Sequence, residues 1–413
     1  MRIALLSEFF SSGMGYVENV LPKYLARLGA QVHVVATDLP LDFRRRSAKS
    51  AYTGFSNHLK AGTVHVRDGY TVHVLGHKQI LGHMRMVGLR KKLESIRPEV
   101  VQTLSPIGWI ALDAAIYKTG LHYKLFTGCH YHASVFPFAR KKRHPLRLES
   151  LRCTLTRTVP GRLVSLLTER CYAITSDCAD VAVRFFGVQE KKAEISVLGV
   201  DTEFFHPAMR TEELEARSHV RQRLGFSDSD VVCIYTGRFD AEKNPALLAR
   251  AVRHFSRTGA PFRGLFVGNG EQGEEIASCG GCVVHPFVPF PELADFYRAA
   301  DVGVWPTQES MSMLDAAACG IPIIANDTMS APERIEGNGI AYRLNDLEDL
   351  IRALLKLQDP AIRRSMGAFG AQKIARSFSW ESVAKRRLHG YEISISLPAK
   401  RPSRTETITR EIL

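Results

Sequence analysis

Twice in this chain an apolar, β-branched stretch runs into a glycine-bearing turn, then a helix face, then a second β-branched stretch. The first copy is Arg2–Ser7, the turn Ser11-Ser12-Gly13-Met14-Gly15, a face of Val17, Val20, Leu21, Tyr24, Leu25 and Leu28, and Gln31–Thr37 after Gly29. The second is Val231–Thr236, Asn244–Phe255 and Arg263–Val267. Apolar spacing at i, i+3, i+4 and i+7 between short β-branched runs predicts strand–helix–strand units of a parallel, doubly wound sheet. Two starts predict two sheets. Further strands are expected in the first half at Val64–Val66, Tyr70–Leu75, Val100–Leu104, Lys124–Thr127, Cys171–Thr175 and Glu194–Leu198. The second half continues with strands Cys282–His285, Val302–Trp305, Ile321–Ala325 and Ile340–Tyr342. Its helices are expected at Glu292–Ala299, Met311–Cys319 and Leu347–Leu357.

The fold class read from this pattern is α/β, with two Rossmann-like domains of doubly wound parallel sheet facing a cleft. The expected division is 1–198, then 199–377, a helix in 378–395 crossing back to the first domain, and a loose polar tail at 396–413 with Pro398 and Pro402. A chain of 413 residues is right for two such domains. Ligands of these sheets bind at the carboxyl ends of strands, beside helix N-termini. The chemistry is therefore expected in the loops after Ser7, Thr127, Thr236, Val267, His285 and Trp305.

Composition excludes other classes. Hydrophobic residues make up 45% and charged residues 23%, which rules out wholesale disorder. The first residues, Met1-Arg2-Ile3-Ala4-Leu5-Leu6-Ser7-Glu8, are too short an apolar run for a secretion signal. No window approaches the ~20 apolar residues of a spanning helix. Cys171, Cys233 and Cys319 sit in apolar surroundings and read as buried free thiols, so a cytosolic location is expected. Cys279-Gly-Gly-Cys282 has ligand spacing but no second pair, and reads as a turn.

Several loops carry chemistry, each beside a plainer reading. Gly13-Met-Gly15 suits close approach of backbone to a phosphate, or simply a tight turn. Gly268-Asn-Gly270-Glu-Gln-Gly273 fits a dinucleotide pattern, but the next strand ends at His285-Pro286 without the acid that reading requires. Asp228-Ser-Asp230 precedes a strand, at the wrong end for the cleft, and reads as a solvated turn. Arg238 and Lys243 leave a strand end and lead into a helix, which suits a diphosphate held without a metal; the plainer reading is surface charge on a turn. Glu309 lies at the cleft mouth and Asp315 on the helix that follows. A buried acid needs a partner, and vicinal hydroxyls such as a ribose supply one. His130 and His132 follow a strand into the cleft. With no third ligand visible beside them, no metal site is expected.

In this order the motifs resemble the retaining GT-B glycosyltransferases of family four, the group 1 nucleotide-sugar transferases. The resemblance runs through Gly13-Met-Gly15-Tyr-Val-Glu-Asn, Ala173-Ile-Thr-Ser-Asp, Val197-Leu-Gly-Val-Asp201 to Pro207, Thr236-Gly-Arg238 with Lys243, Val267-Gly-Asn-Gly270, Pro286 to Pro306, Asp315-Ala-Ala-Ala-Cys-Gly-Ile-Pro and Phe378-Ser-Trp380. It implies a hexosyltransferase with no metal and no cofactor beyond its nucleotide-diphosphate sugar. Arg238 and Lys243 look like the pair that binds the donor diphosphate, with Gly15 approaching from across the cleft. His130 falls near the transferred sugar. Phe287 and Val288 frame the nucleobase, Ser310 and Met311 join the donor site, and Asp315 stands where a Glu binds the ribose hydroxyls. The family pattern has two Glu separated by seven residues. Here Thr307 stands eight residues before Asp315, and Glu309 is two residues too close. Glu309 is expected to take the first acid's role toward the donor sugar.

The net charge of +13 divides into +15 over residues 1–200 and −2 over 201–413. In this fold the first domain faces the acceptor. Its cations include Arg44 to Arg46, Arg85, Arg90 to Lys92, and Arg140, Lys141, Lys142 and Arg143. Arg147, Arg152, Arg157 and Arg162 continue that last run, mixed with Leu146, Leu148, Leu151, Leu155 and Val159. Docking on an anionic membrane is the sharper reading and a solvated helix face the plainer one. A saccharide or lipid-linked acceptor follows from the first. Two other readings stay open: an inactive scaffold, because the acid pair is altered, and a polyanion-binding protein, although no nucleic-acid motif is present.

Overall fold

The computed structural model describes residues 1–40, 59–80, 83–133, 136, 138, 148–307, 309–329 and 331–396. Arg44 to Arg46, Arg140, Lys141, Lys142, Arg143 and the tail from 397 lie outside the described residues. Among those described, no helix is long and apolar enough to cross a membrane.

The first sheet contains β1 (Arg2–Leu6), β2 (Gln31–Thr37), β3 (Val64–Arg67), β4 (Tyr70–Leu75), β7 (Val100–Thr103), β8 (Lys124–Cys129), β9 (Thr168–Ala173) and β10 (Ala193–Ile195). Its order is β10-β9-β8-β7-β1-β2-β4-β3, parallel except for the edge strand β3. A small hairpin, β5 (His77–Ile80) and β6 (His83–Met86), stands apart from it. The second sheet contains β11 (Val231–Thr236), β12 (Phe262–Val267), β13 (Cys282–His285), β14 (Val302–Trp305), β15 (Ile323–Asn326) and β16 (Gly339–Tyr342). Its order is β13-β12-β11-β14-β15-β16, all parallel. In both sheets the order reverses beside the first strand, between β1 and β7 and between β11 and β14. A crevice opens at such a point in a doubly wound sheet.

The uninterrupted apolar runs are explained by burial on both sheet faces. Ile3 and Leu5 of β1 pack with Val20, Leu21 and Leu25 of the helix Val17–Arg27, while Ala4 and Leu6 face Leu89, Leu93 and Ile110 on the other side. The C-terminal helix Trp380–Ser396 returns to the first sheet, where Trp380, Val383, Ala384 and Tyr391 join the same core as Ile3 and Leu5. Arg387 on that helix is buried, stacks 3.7 Å over the Tyr172 ring and donates to Gln102 Oε1 at 2.8 Å and Ser196 Oγ at 2.7 Å. Where the chain passes between the sheets, Asp201 is buried against Lys23 Nζ and Tyr24 Oη, both at 2.7 Å. All eight cysteines are unpaired, and Cys279-Gly-Gly-Cys282 is a turn into β13.

Differences from the sequence expectation are mostly of one to three residues at element ends. The hairpin β5–β6 and the helices Leu89–Ile96, Trp109–Leu121, Ser176–Phe186, Thr211–Arg223 and Pro360–Ser377 carry no strand or helix expectation in the sequence reading and are added by the structure.

Candidate active site

A cavity of about 560 Å³ lies between the two sheets. Five of the six strand-end loops expected to carry chemistry contribute to its wall; at the sixth only the last strand residue, Val267, does, and Gly268 to Gly273 do not. Together these strand ends supply Ser7 to Phe9, His130 and Tyr131, Gly237, Val267, Phe287 and Val288, and Ser310 to Ser312. The size suits one small-molecule ligand with a few fixed polar groups.

The cavity is closed on one side by contact across the cleft. Phe290 donates its backbone N–H to Gly13 O at 3.2 Å. Its ring lies so close to Gly15 that a β-carbon there would stand 2.2 Å away. The close approach that demands glycine at position 15 is to this ring.

Asp315 lies on the helix Ser312–Ala318 and reaches the cavity wall while remaining buried. Burial raises its pKa well above the usual carboxylate range, Asp201 adds to the push, and among the described residues no hydrogen bond opposes it. The three alanines after it are buried and bring the helix close to the sheet. Asp315 is therefore a buried acid with no side-chain hydrogen-bond partner among the described residues.

Gly237, with φ +144°, turns the chain from β11 into Arg238 and Lys243. Its neighbours Gly268 and Gly270 pack backbone to backbone on the same loop. A β-carbon on Gly268 would stand 1.8 Å from Gly237 O, so these glycines serve loop packing. Arg238 is held by Asp240 Oδ2 at 3.0 Å. Lys243 Nζ donates to Glu309 O at 3.2 Å. Burial, and then the neighbouring Arg238, push the Lys243 amine down to about 8. Neither cation lines the cavity, although Gly237, just before Arg238, does.

Glu309 departs from expectation. Its side chain is turned away from the cavity: Oε2 pairs with Arg334 Nη1 at 3.1 Å and Oε1 accepts Ala331 N–H at 3.2 Å. Arg334 is buried, so the pair is a shielded one. What Glu309 offers the site is its backbone carbonyl, on Lys243. Thr307, the alternative first position, has a buried hydroxyl without a hydrogen-bond partner.

On the opposite wall, His130 is pushed down to about 4 by burial, with Arg387 and His132 adding to the effect. It is a neutral imidazole at neutral pH. His132 is its opposite. Burial alone would lower it, but Asp177 at 3.2 Å and then Cys178 raise it to about 10. Among the described residues, the ligand atoms of His132, Asp177 and Cys178 lie within 4.8 Å of one another, a grouping the sequence reading missed when it found no third ligand. Asp177 is already occupied by Thr175 Oγ1, Ala133 N–H and His132, so the grouping is an ion pair that fixes His132.

The sequence reading also missed Glu18, which is buried at the cavity wall in the first turn of the helix Val17–Arg27. Burial, partly offset by its own backbone N–H, pushes its carboxyl up to about 7. Met84, Trp380 and most of the segment Thr103–Ile110 also line the wall.

The model of the Glycosyltransferase Family 4 domain matches residues 12–204, and that of the Glycosyl transferases group 1 domain matches residues 230–359. The chain belongs to the family-four, group 1 glycosyltransferases. Its fold is GT-B: the structure resembles sucrose-phosphate synthase from Thermosynechococcus elongatus (TM-score 0.68, 16% identity, 95% of this chain and 98% of that one). It likewise resembles Anabaena HepE in complex with UDP-glucose (TM-score 0.65, 16% identity, 96% of this chain and 100% of that one). In sequence, the chain is 30% identical over 302 residues to D-inositol 3-phosphate glycosyltransferase of Stackebrandtia nassauensis, covering 68% of this chain and 66% of that one. It is 31% identical over 238 residues to the protein of that name from Streptomyces bingchenggensis, covering 52% and 51%. The chain thus spans about half to two thirds of the length of the curated relatives it matches.

Proposed function

We propose that this family-four chain moves a hexosyl group from a nucleotide-diphosphate sugar to an acceptor hydroxyl, with retention and without a metal. The observation that carries the proposal is Asp315. Among the described residues it is a buried carboxyl with no side-chain hydrogen bond, set at the wall of a cavity between two sheets, after β14, the strand beside the β11 whose loop carries Arg238 and Lys243. Ribose hydroxyls give Asp315 the donors it lacks. The diphosphate then falls toward the β11 loop, where Lys243 and Arg238 meet its charge. The helix Ser312–Ala318 opens there, and the positive end of its dipole adds to that field. Phe287 and Val288 are placed for the base, and Gly15 and Phe290 close the cleft over it. His130, neutral, is a hydrogen-bonding group for the sugar.

In the proposed step the bond between the anomeric carbon and the leaving phosphate oxygen breaks. The acceptor oxygen bonds to the same face of that carbon, and its proton passes to the departing phosphate. Glu309 takes no part through its side chain, since Arg334 holds it. Its carbonyl orients Lys243.

The acceptor side is the basic first half, which suits a phosphorylated or lipid-linked saccharide. We place the activity at the cytoplasmic face of a membrane, in the synthesis of envelope polysaccharide or glycolipid. The relatives' name carries inositol 3-phosphate, which is therefore one acceptor to try, and UDP-glucose, carried by HepE, is the first donor. The deciding experiment screens UDP-, GDP- and ADP-sugars by thermal shift, then follows release of the nucleotide diphosphate and the anomeric configuration of the product. A rise in Tm with one nucleotide sugar and an α-to-α product support the proposal. Failure of every donor to bind returns the scaffold reading.

A further inference from the structure

The helix that leads from the acceptor side back into β9 is built inside out. It runs as Leu148–Cys153, a wider turn Thr154–Thr158 and Val159–Leu167. The side chains it turns inward are small or modest: Cys153, Gly161, Val164 and Ser165. Gly161 packs so tightly that a β-carbon would stand 1.9 Å from Phe186 O. The large apolar side chains point outward. Leu151, Leu155, Val159, Leu163 and Leu166 are 53%, 59%, 46%, 53% and 59% exposed.

These five recur at intervals of four, four, four and three residues. On a plain α-helix each four-residue interval drifts by about 40° around the axis, so the row would wind off one face. The turn at Thr154–Thr158 has i→i+5 bonding and takes up that drift. Pro160, which has no N–H to give the carbonyl of Thr156, follows directly and suits such a turn. The result is a straight apolar row opposite the buried face.

Charge selects what covers it. Arg152 and Arg162 are exposed beside the row, and Arg157 lies over the rings of Phe136 and Phe138 at 5.3 and 5.7 Å. The nine residues before the helix, 139–147, contain five Lys or Arg and no acid. A second copy docked through the same row would set Arg152 and Arg162 against their own duplicates. An anionic bilayer takes both features, with the leucines in the acyl boundary and the arginines at the headgroups.

We propose that the outward face of the helix 148–167 lies in the surface of an anionic lipid bilayer and holds the acceptor side of the cleft against it. This deepens the placement at a membrane proposed above. It is read without any sugar present, so it fails separately from the glycosyl-transfer proposal. The test is cosedimentation of the full chain with vesicles of phosphatidylglycerol and phosphatidylcholine in equal parts, against phosphatidylcholine alone. Three proteins are compared: wild type, Leu155→Ser/Leu163→Ser, and the control Leu355→Ser/Ile362→Ser, whose exposed apolar residues lie in the second half. The expected result is binding to the anionic vesicles only, weakened about tenfold or more by the first pair and unchanged by the control. Because all four positions are exposed, the Tm of each variant stays at the wild-type value. No binding to anionic vesicles, or equal loss in both variants, overturns the proposal. A dimer in sedimentation velocity that dissociates in Leu155→Ser/Leu163→Ser also overturns it, by showing that a second copy covers the face.

Discussion

Gly15 and Phe290 meet across the cleft with no space for a side chain: a β-carbon on Gly15 would stand 2.2 Å from the ring. Gly15 follows β1 of the first sheet and Phe290 follows β13 of the second, so the contact sets how far the cleft closes. Gly15→Ala must push the ring or the loop aside, at about 1–3 kcal/mol of overpacking. Donor affinity is expected to fall about tenfold to a hundredfold, with little change in the Tm of the separate cores. Gly15→Ala/Phe290→Leu should recover part of that loss. Titration of nucleotide sugar by calorimetry checks both, and an unaltered affinity in Gly15→Ala would show that the cleft does not need this closure.

Lys243 carries a pH prediction. Burial and Arg238 hold its amine at about 8, so above that pH the empty site loses a positive charge. A bound diphosphate favours the charged form. Donor binding therefore takes up a proton there, and affinity weakens as pH rises from 7 to 9. Lys243→Met should abolish this dependence and lower turnover by roughly 2.7–4 kcal/mol, about a hundredfold to a thousandfold, as removal of an oxyanion donor does elsewhere. Initial rates against pH, for wild type and Lys243→Met, are the measurement.

Glu18 carries the opposite kind of pH effect, on stability. Its carboxyl, at 4.5 when free and about 7 in the fold, binds its proton more tightly folded than unfolded. Its stabilisation is complete below about pH 4.5 and is lost as the pH climbs to 7 and beyond. Glu18→Gln should therefore stabilise the chain at pH 8 by roughly 3 kcal/mol at most, and by nothing near pH 4. Urea unfolding of both proteins at the two pH values decides it. Equal stability at pH 8 would mean that the carboxyl is relieved by a partner.

Much of this site could be read from local signals. Strand ends, glycine turns and the cations at Arg238 and Lys243 are adjacent in sequence, and five of the six loops they marked do meet in one cavity. What escaped depends on tertiary approach. Glu309 looks free at the cleft mouth until Arg334, 25 residues on, folds back over it. Asp177 reaches His132 across 45 residues. Glu18 reads as an ordinary acid in a first helical turn, and only the surrounding wall makes it buried. The segment Thr103–Ile110 shapes the cavity without any charged residue to announce it. The leucines of 151–166 give an amphipathic pattern in sequence, but which face looks outward is set by the packing of Gly161 on Phe186.

The pair Glu309–Arg334 separates a structural role from a catalytic one. Both partners are shielded, at 11% and 4% exposure of their side chains. Removing Arg334 takes away the cation that faces the shielded Glu309 carboxylate, so Arg334→Ala is expected to destabilise by about 3–5 kcal/mol. Arg334→Met/Glu309→Gln removes both charges and should restore most of that stability. The informative quantity is turnover by the double variant at saturating donor. If Glu309 serves only to hold the loop and present its carbonyl to Lys243, turnover stays within about tenfold of wild type once the Tm has recovered. A loss of a thousandfold or more in a stable double variant would return Glu309 to the donor sugar, with Arg334 as the group that releases it when the donor binds.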